Sequence, residues 1–200
     1  MNERSLTLTP EAPDRRGRIL QVAGRLFSQK GYHGSSMREL ASALGLTQSS
    51  LYNHVANKEE LLLAIVDGVA DEFLVTLEPV VRSAASPTAK LRSAVRVHLQ
   101  IIAEHLETAT VFLHEWKFLS ATYRARVESK RGRYEALWRE IIAEGVERGD
   151  FRPLKIEFTA RWILSTLNWT YQWYSPQGAL TAEEIADRYL DLFLHGLLKS

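Results

Sequence analysis

The 200-residue chain has no cysteine at all. That excludes a disulfide scaffold, a thiolate metal site and a thiol nucleophile, and it suits a reducing cytoplasm. No Ser/His/Asp pattern, glycine-rich phosphate loop or HExxH-type helix occurs either, so the usual marks of an enzyme are missing. His105, His114 and Glu115 are too loosely spaced to form a metal site. Long hydrophobic runs are also lacking. The uncharged stretch Trp162 to Ala182 is interrupted by Asn168, Gln172, Ser175, Pro176, Gln177 and Gly178, which leaves its apolar part too short and broken to span a bilayer. The opening residues, MNERSLTLTPEAPD, show no charged-then-apolar signal pattern, and residues 1–14 read as a polar disordered tail. The expectation is a soluble, cytoplasmic protein.

What is present begins with enough apolar residues, 46%, to bury a core in one domain or two small ones. The net charge of +1 says little, but its distribution is uneven. Residues 15–60 hold seven Lys/Arg against three Asp/Glu, whereas residues 61–200 hold 17 against 18. Only the N-terminal block is basic, which fits a local anionic partner.

Periodicity is helical almost throughout, with no convincing strand, and about nine helices are expected. Ile19, Ala23, Leu26 and Phe27 mark a first helix that Lys30 and Gly31 close. Ser36-x-x-Glu39 is a capping box, Thr47 and Asn57 are N-caps, and Ser86-Pro87 starts a helix beyond Pro79. A charged helix runs from about Ala121 to Arg148 and stops at Gly149. Another spans about Leu154 to Trp173, and Thr181-x-x-Glu184 caps the last.

Within Ser36–His54, Ala41, Gly45 and Leu51 are spaced four and six apart. Two helices crossing steeply need a small residue at the approach, a residue tolerant of positive φ in the turn, and an apolar anchor on the second helix. This is the requirement of a helix-turn-helix, whose second helix presents its outer face to the major groove. Thr47, Gln48, Ser49 and Ser50 then lead that helix. Gln can read adenine bidentately, and Ser or Thr can bond base edges or phosphates.

The run RILQVAGRLFSQKGYHGSSMRELASALGLTQSSLYNHVANKEELLLAIVD, Arg18 to Asp67, resembles the DNA-binding domain of the TetR family of bacterial transcriptional regulators. Leu26, Phe27, Gly31 and Tyr32, the SMRELA and LYNHV segments, and the NKEELL that follows carry the likeness; Val55 stands where the family more often has Phe. The resemblance implies phosphate contacts at Ser36, Thr47, Tyr52, His54 and Lys58. It implies groove contacts at Gln48 and Ser49, with Ser50 or Asn53. Residues 15–60 would be the helix-turn-helix domain and residues 61–200 a ligand-binding and dimerisation domain.

The family likeness also implies a homodimer on a palindromic double-stranded DNA operator. The rows Ile163, Leu164, Leu167, Tyr171 and Ile185, Tyr189, Leu192, Phe193, Leu197 are the faces expected to meet a two-fold mate. All five tryptophans, Trp116, Trp138, Trp162, Trp169 and Trp173, follow the basic block, and His98 interrupts the apolar row Leu91, Val95, Ile102. Arg124, Arg131, Tyr134 and Trp138 fall near one helix face, with Arg126, Lys130 and Arg133 beside them. Those cations either await an anionic ligand or form a solvated face paired with Glu128 and Glu135. Arg161 needs an anionic partner if buried.

RWILSTLNWTYQWYSPQG, Arg161 to Gly178, and RYEALWREIIAEGVERGDF, Arg133 to Phe151, resemble a TetR-family branch that answers to acyl-CoA thioesters or fatty acids. That likeness implies an acyl-CoA-type effector and no resident cofactor or metal. His98, Trp116, Arg131, Tyr134, Trp138, Arg161, Trp169 and Trp173 are the candidate ligand residues. The expected function is a repressor released from its operator by that effector, controlling fatty-acid or aromatic-acid breakdown. A TetR-family drug sensor, a ligand-free architectural DNA binder and a small all-α enzyme are the alternatives.

Overall fold

The computed structural model describes residues 15–197, so the tail expected at residues 1–14 lies outside the described residues. Nine α-helices occur among them: α1 (Arg15–Lys30), α2 (Met37–Ala43), α3 (Gln48–Tyr52), α4 (Lys58–Arg82), α5 (Pro87–Glu104), α6 (Leu106–His114), α7 (Ala121–Glu147), α8 (Ile156–Asn168) and α9 (Ala182–Leu197). Two 3₁₀ turns, Trp116–Phe118 and Trp169–Gln172, follow α6 and α8. No helix of the described residues is long and apolar enough to cross a membrane.

The helix starts lie where short polar side chains can satisfy the free N–H groups. Ser36 accepts from the Glu39 N–H at 3.2 Å while the Glu39 carboxylate accepts the Ser36 N–H at 2.9 Å. Thr47 accepts from the Ser50 N–H, Asn57 from Glu60 and Ser86 from Ala89. Thr181 and Glu184 form the same reciprocal box before α9.

Helix lengths depart from the periodic reading in two places. α4 continues through Pro79 to Arg82. Pro79 lies on an exposed flank with Val75, where water can replace the lost bond to the Val75 carbonyl. The eighth helix ends at Asn168 rather than Trp173, and its last turn tightens into the 3₁₀ segment Trp169–Gln172. The boundary expected at residue 60 falls inside α4, so headpiece and body share one continuous helix.

α1 to α3 form the headpiece, with Ile19, Phe27, Leu40, Ala41, Leu51 and Val55 buried between them. Gly45 joins α2 to α3 at φ +68°, a conformation that would strain any side chain with a Cβ. In the body, α4 packs on α5, α6 and α7, and α5 packs on α9. Beyond α7 the chain doubles back so tightly that the Phe151 ring lies where a Cβ on Gly145 would be, and the Phe151 N–H donates to the Gly145 carbonyl at 2.9 Å.

The apolar rows assigned to a two-fold mate have another use. Ile163, Leu164, Leu167, Ile185, Phe193 and Leu197 are all buried within the single chain. The apolar side chains that α8 and α9 leave exposed are Phe158, Trp162 and Leu192. Periodicity is sufficient to find an apolar stripe, but the stripe faces the chain's own α5 and α7.

Candidate DNA interface and ligand cavity

At the headpiece, two turns of polar sequence become an exposed rim. Gln48, Ser49, Tyr52 and Asn53 are exposed on or beside α3, with Ser50 and His54 half-buried. Thr47 uses its hydroxyl oxygen to cap α3 and lies 3.0 Å from the Ser49 hydroxyl. Ser36 holds the start of α2, and its hydroxyl also donates to Glu39 at 2.9 Å. Glu39 in turn pairs with Lys30 at 2.8 Å. The Lys30 ammonium first, and then the Ser36 hydroxyl, hold the Glu39 carboxyl below its ordinary range. Among the sequence candidates, Gln48, Ser50, Tyr52, Asn53 and His54 have side chains with no internal hydrogen bond among the described residues, and Gln48, Tyr52 and Asn53 are the exposed ones. Arg38, exposed on α2 and in no ion pair of the described residues, is a cation that the motif reading did not single out.

Lys58, expected to contact phosphate, also makes internal bonds. Its ammonium donates to the Tyr32 and Ser35 carbonyls and lies 4.4 Å from the centroid of the Tyr32 ring. Burial pulls its pKa down, against the opposing pull of Glu39 and Glu115. Lys58 therefore pins the start of α4 to the loop between α1 and α2. The motif gave a basic residue at that position; only the packing shows that its donors point inward.

The headpiece is tied to the body through α6 and the turn after it. The Tyr32 N–H donates to the buried Glu115 carboxylate at 2.8 Å, and the Ser120 N–H donates to Glu59 at 2.5 Å. Arg25 pairs with Glu107 at 3.2 Å. Phe118 stacks on Tyr32 with ring centroids 6.3 Å apart and meets His33 edge-on at 4.4 Å.

The body contains a cavity of about 420 Å³ reached by α4 through α8. Phe73 of α4, Phe112 of α6 and Leu164 of α8 give it apolar walls; His98, Arg131, Tyr134 and Asn168 give it polar ones. His98 is 1% exposed, and burial holds its imidazole down at about 3, far below the ordinary 6.5. Arg131 is half-buried and makes no ion pair among the described residues. Its guanidinium instead lies 5.1 Å from the ring centroids of both Phe112 and Trp116. Arg161 borders the cavity but pairs with Glu135 at 3.2 Å.

The structure gathers four of the eight expected ligand residues, His98, Arg131, Tyr134 and Arg161, around this cavity. Trp116 supports Arg131 from behind, and Trp138 is fully buried beside Tyr134, with ring centroids 6.3 Å apart. Trp169 and Trp173 do not belong to it: they are 63% and 48% exposed and line no part of the cavity. The end of α8 tightens before reaching them, which turns them away from where a straight helix would have carried them.

The cluster of cations on α7 also divides. Arg126 and Lys130 pair with Asp67, Lys130 also with Asp71, and Arg133 with Glu78, all on α4. These three zip α7 to α4, and only Arg131 enters the cavity unpaired. Sequence spacing could place all of them on one helix but could not place the acidic residues of α4 opposite them. Phe73, Phe112, Leu164 and Asn168 are cavity residues that the sequence reading missed, since apolar residues at helical spacing look alike whether they line a core or a cavity.

Known proteins match both halves. A model described as bacterial regulatory proteins, tetR family, matches residues 19–65, and one described as tetracyclin repressor-like, C-terminal domain, matches residues 84–197. The HTH-type transcriptional repressor KstR2 of Mycobacterium tuberculosis is 29% identical over 187 residues, covering 92% of this chain and 94% of that protein. The solved structure of that organism's ketosteroid transcriptional regulator KstR2 superposes with a TM-score of 0.90 at 28% identity, over 97% of this chain and 100% of that one. PfmR, a TetR-family transcriptional regulator from Thermus thermophilus, gives 0.85 at 36% identity, over 91% and 100% of the two chains. AibR, solved in complex with isovaleryl coenzyme A and operator DNA, gives 0.82 at 32% identity, over 90% and 97%. With a matching headpiece, a matching body and the same overall fold, the chain belongs to the TetR family of bacterial regulatory proteins and is a DNA-binding transcriptional regulator rather than an enzyme.

Proposed function

We propose that this protein is a homodimeric repressor, released from a palindromic operator by an acyl-CoA-type effector and controlling fatty-acid or aromatic-acid degradation genes. One observation carries the reading. Arg131 enters a cavity of mixed apolar and polar lining without an anionic partner, while its guanidinium rests on Phe112 and Trp116. A half-buried cation costs free energy unless an anion meets it, and a ligand can bring that anion. Glu115, the residue just before Trp116, holds the headpiece through Tyr32, so a ligand that moves Arg131 acts close to that link. The structural likeness to AibR, solved with isovaleryl coenzyme A, supports a thioester as the effector class.

The exposed Phe158, Trp162 and Leu192 of α8 and α9 suit the two-fold contact, which would set two headpieces about 34–36 Å apart. The effector shifts the equilibrium only by its differential affinity for the DNA-bound and released arrangements. A second reading, a sensor of cationic aromatics, draws on Glu128, which lines the cavity in no ion pair among the described residues.

The test is the denaturation midpoint with medium and long acyl-CoAs, phenylacetyl-CoA, free CoA, the matching acids and a cationic dye, repeated with operator release as the readout. A ligand at 100 times its dissociation constant adds about 2.7 kcal/mol. Stabilisation and DNA release by thioesters, without effect from free CoA, is the expected result. Response to the dye alone moves the protein to the second reading.

A further inference from the structure

His98 and Tyr134 form a buried pair on the cavity wall, and one ring nitrogen of the pair is left over. His98 Nδ1 lies 2.9 Å from the Tyr134 hydroxyl, and both residues line the cavity together with Asn168. His98 Nε2 is shut off from solvent and has no hydrogen-bond partner among the described residues. The Asn168 amide lies near enough to pull the imidazole toward the charged form, yet not at hydrogen-bond geometry to Nε2.

The proton positions follow from the surroundings. The Tyr134 hydroxyl needs an acceptor, and His98 Nδ1 is the one that the described residues provide. Leaving a buried donor unpaired is costly. Tyr134 thus donates to Nδ1, the ring stays neutral, and Nε2 keeps its hydrogen.

We infer that this wall of the cavity reads a carbonyl oxygen of the effector, which displaces the Asn168 amide and accepts a hydrogen bond from His98 Nε2–H. The inference rests on the cavity being the effector site proposed above, and it states what the effector must present there. The carbonyl is either that of the thioester or a ketone further along the acyl group. A saturated hydrocarbon would seal Nε2–H in without a partner, and sites built for a hydrogen bond reject such analogues strongly. The discrimination should be roughly 5- to 150-fold in affinity.

Two matched pairs of probes test this by calorimetry on the whole protein: hexanoyl-CoA against its thioether analogue S-hexyl-CoA, and 4-phenyl-2-butanone against butylbenzene. The carbonyl member of at least one pair should bind tighter by the factor above. His98→Leu should abolish the preference, and His98→Gln, which keeps a donor, should retain much of it. Preference within the CoA pair places the carbonyl at the thioester; preference within the ketone pair alone places it along the acyl group. Long-range 1H–15N spectra of histidine-labelled wild type should show the Nε2–H tautomer, with that nitrogen shifting when a carbonyl probe binds. Equal affinities within both pairs, failure of both carbonyl probes to bind, or an Nδ1–H tautomer overturns the inference. Preference for the ketone with no binding of any CoA derivative leaves the carbonyl site standing and sinks the thioester reading.

Discussion

The headpiece and the body treat polar groups in opposite ways. In the headpiece, Ser36, Thr47 and Glu39 satisfy backbone donors within three residues of themselves, and Gln48, Ser49, Tyr52 and Asn53 on or beside α3 are exposed. In the body, polar groups reach across the fold: Lys90 to Glu144 at 2.7 Å, Lys130 to Asp67 at 2.6 Å, His98 to Tyr134 at 2.9 Å. Some, such as Arg131 and His98 Nε2, are not matched by any described residue. A surface meant for DNA can leave its polar groups to water until the partner arrives. A cavity has little water to do so, and its unmatched groups therefore specify the ligand.

The sharpest way to break this contrast is acid. The His98 proton prefers the unfolded chain, because the folded imidazole is held at about 3 against the ordinary 6.5. The stability carried by neutral His98 is complete above pH 6.5 and is lost as pH falls from there toward 3, on the order of 4 kcal/mol at the lower end. Glu128, Lys130, Arg131, Tyr134, Glu135 and Arg161 share its cavity, and burial is the main cause of the depressed imidazole. Urea midpoints at pH 7, 5.5 and 4 should decline for wild type and decline less for His98→Gln. Parallel profiles would assign the acid sensitivity elsewhere.

Lys58→Ala should be of comparable size. It removes two hydrogen bonds from a charged donor, at about 1.5–3 kcal/mol each before the loop relaxes. The expected outcome is a lower midpoint and weaker binding to all DNA, whereas a phosphate contact alone would leave stability unchanged and reduce the salt slope by about one unit. Gln48→Ala should cost about 1–3 kcal/mol on the operator and little on random DNA, with the fold intact. Equal losses on both DNAs would remove Gln48 as a base reader. Arg133→Ala, which breaks an exposed pair with Glu78, should change stability by less than about 1 kcal/mol and leave effector affinity alone. A large drop in effector affinity would return that arginine to the ligand site.

The legibility of the sequence followed the range of the interactions. The caps at Ser36, Thr47, Asn57, Ser86 and Thr181, and the turn at Gly45, were readable because each depends on residues three or four positions away. The polar leading face of α3 was readable for the same reason. The inward bonds of Lys58 are not legible there, because its carbonyl partners, on Tyr32 and Ser35, lie more than twenty residues earlier. The choice between the two readings of the α7 cations is not legible there, because their partners Asp67, Asp71 and Glu78 lie more than fifty residues earlier. The apolar rows of α8 and α9 show the limit most clearly: period 3.6 reveals that a face is apolar, and nothing in it says whether the face meets the same chain or another.

The sequence by itself thus determined an all-α chain with a helix-turn-helix at its basic end, since helix caps, turns and amphipathic periods are set by neighbours along the chain. The tertiary structure decided which polar groups meet. It took Arg126, Lys130 and Arg133 for the α4–α7 seam, left Arg131 in the cavity against Phe112 and Trp116, and buried His98 with one nitrogen unpaired. Those outcomes depend on which helix packs opposite which, and desolvation and Coulomb energies act only once that packing exists.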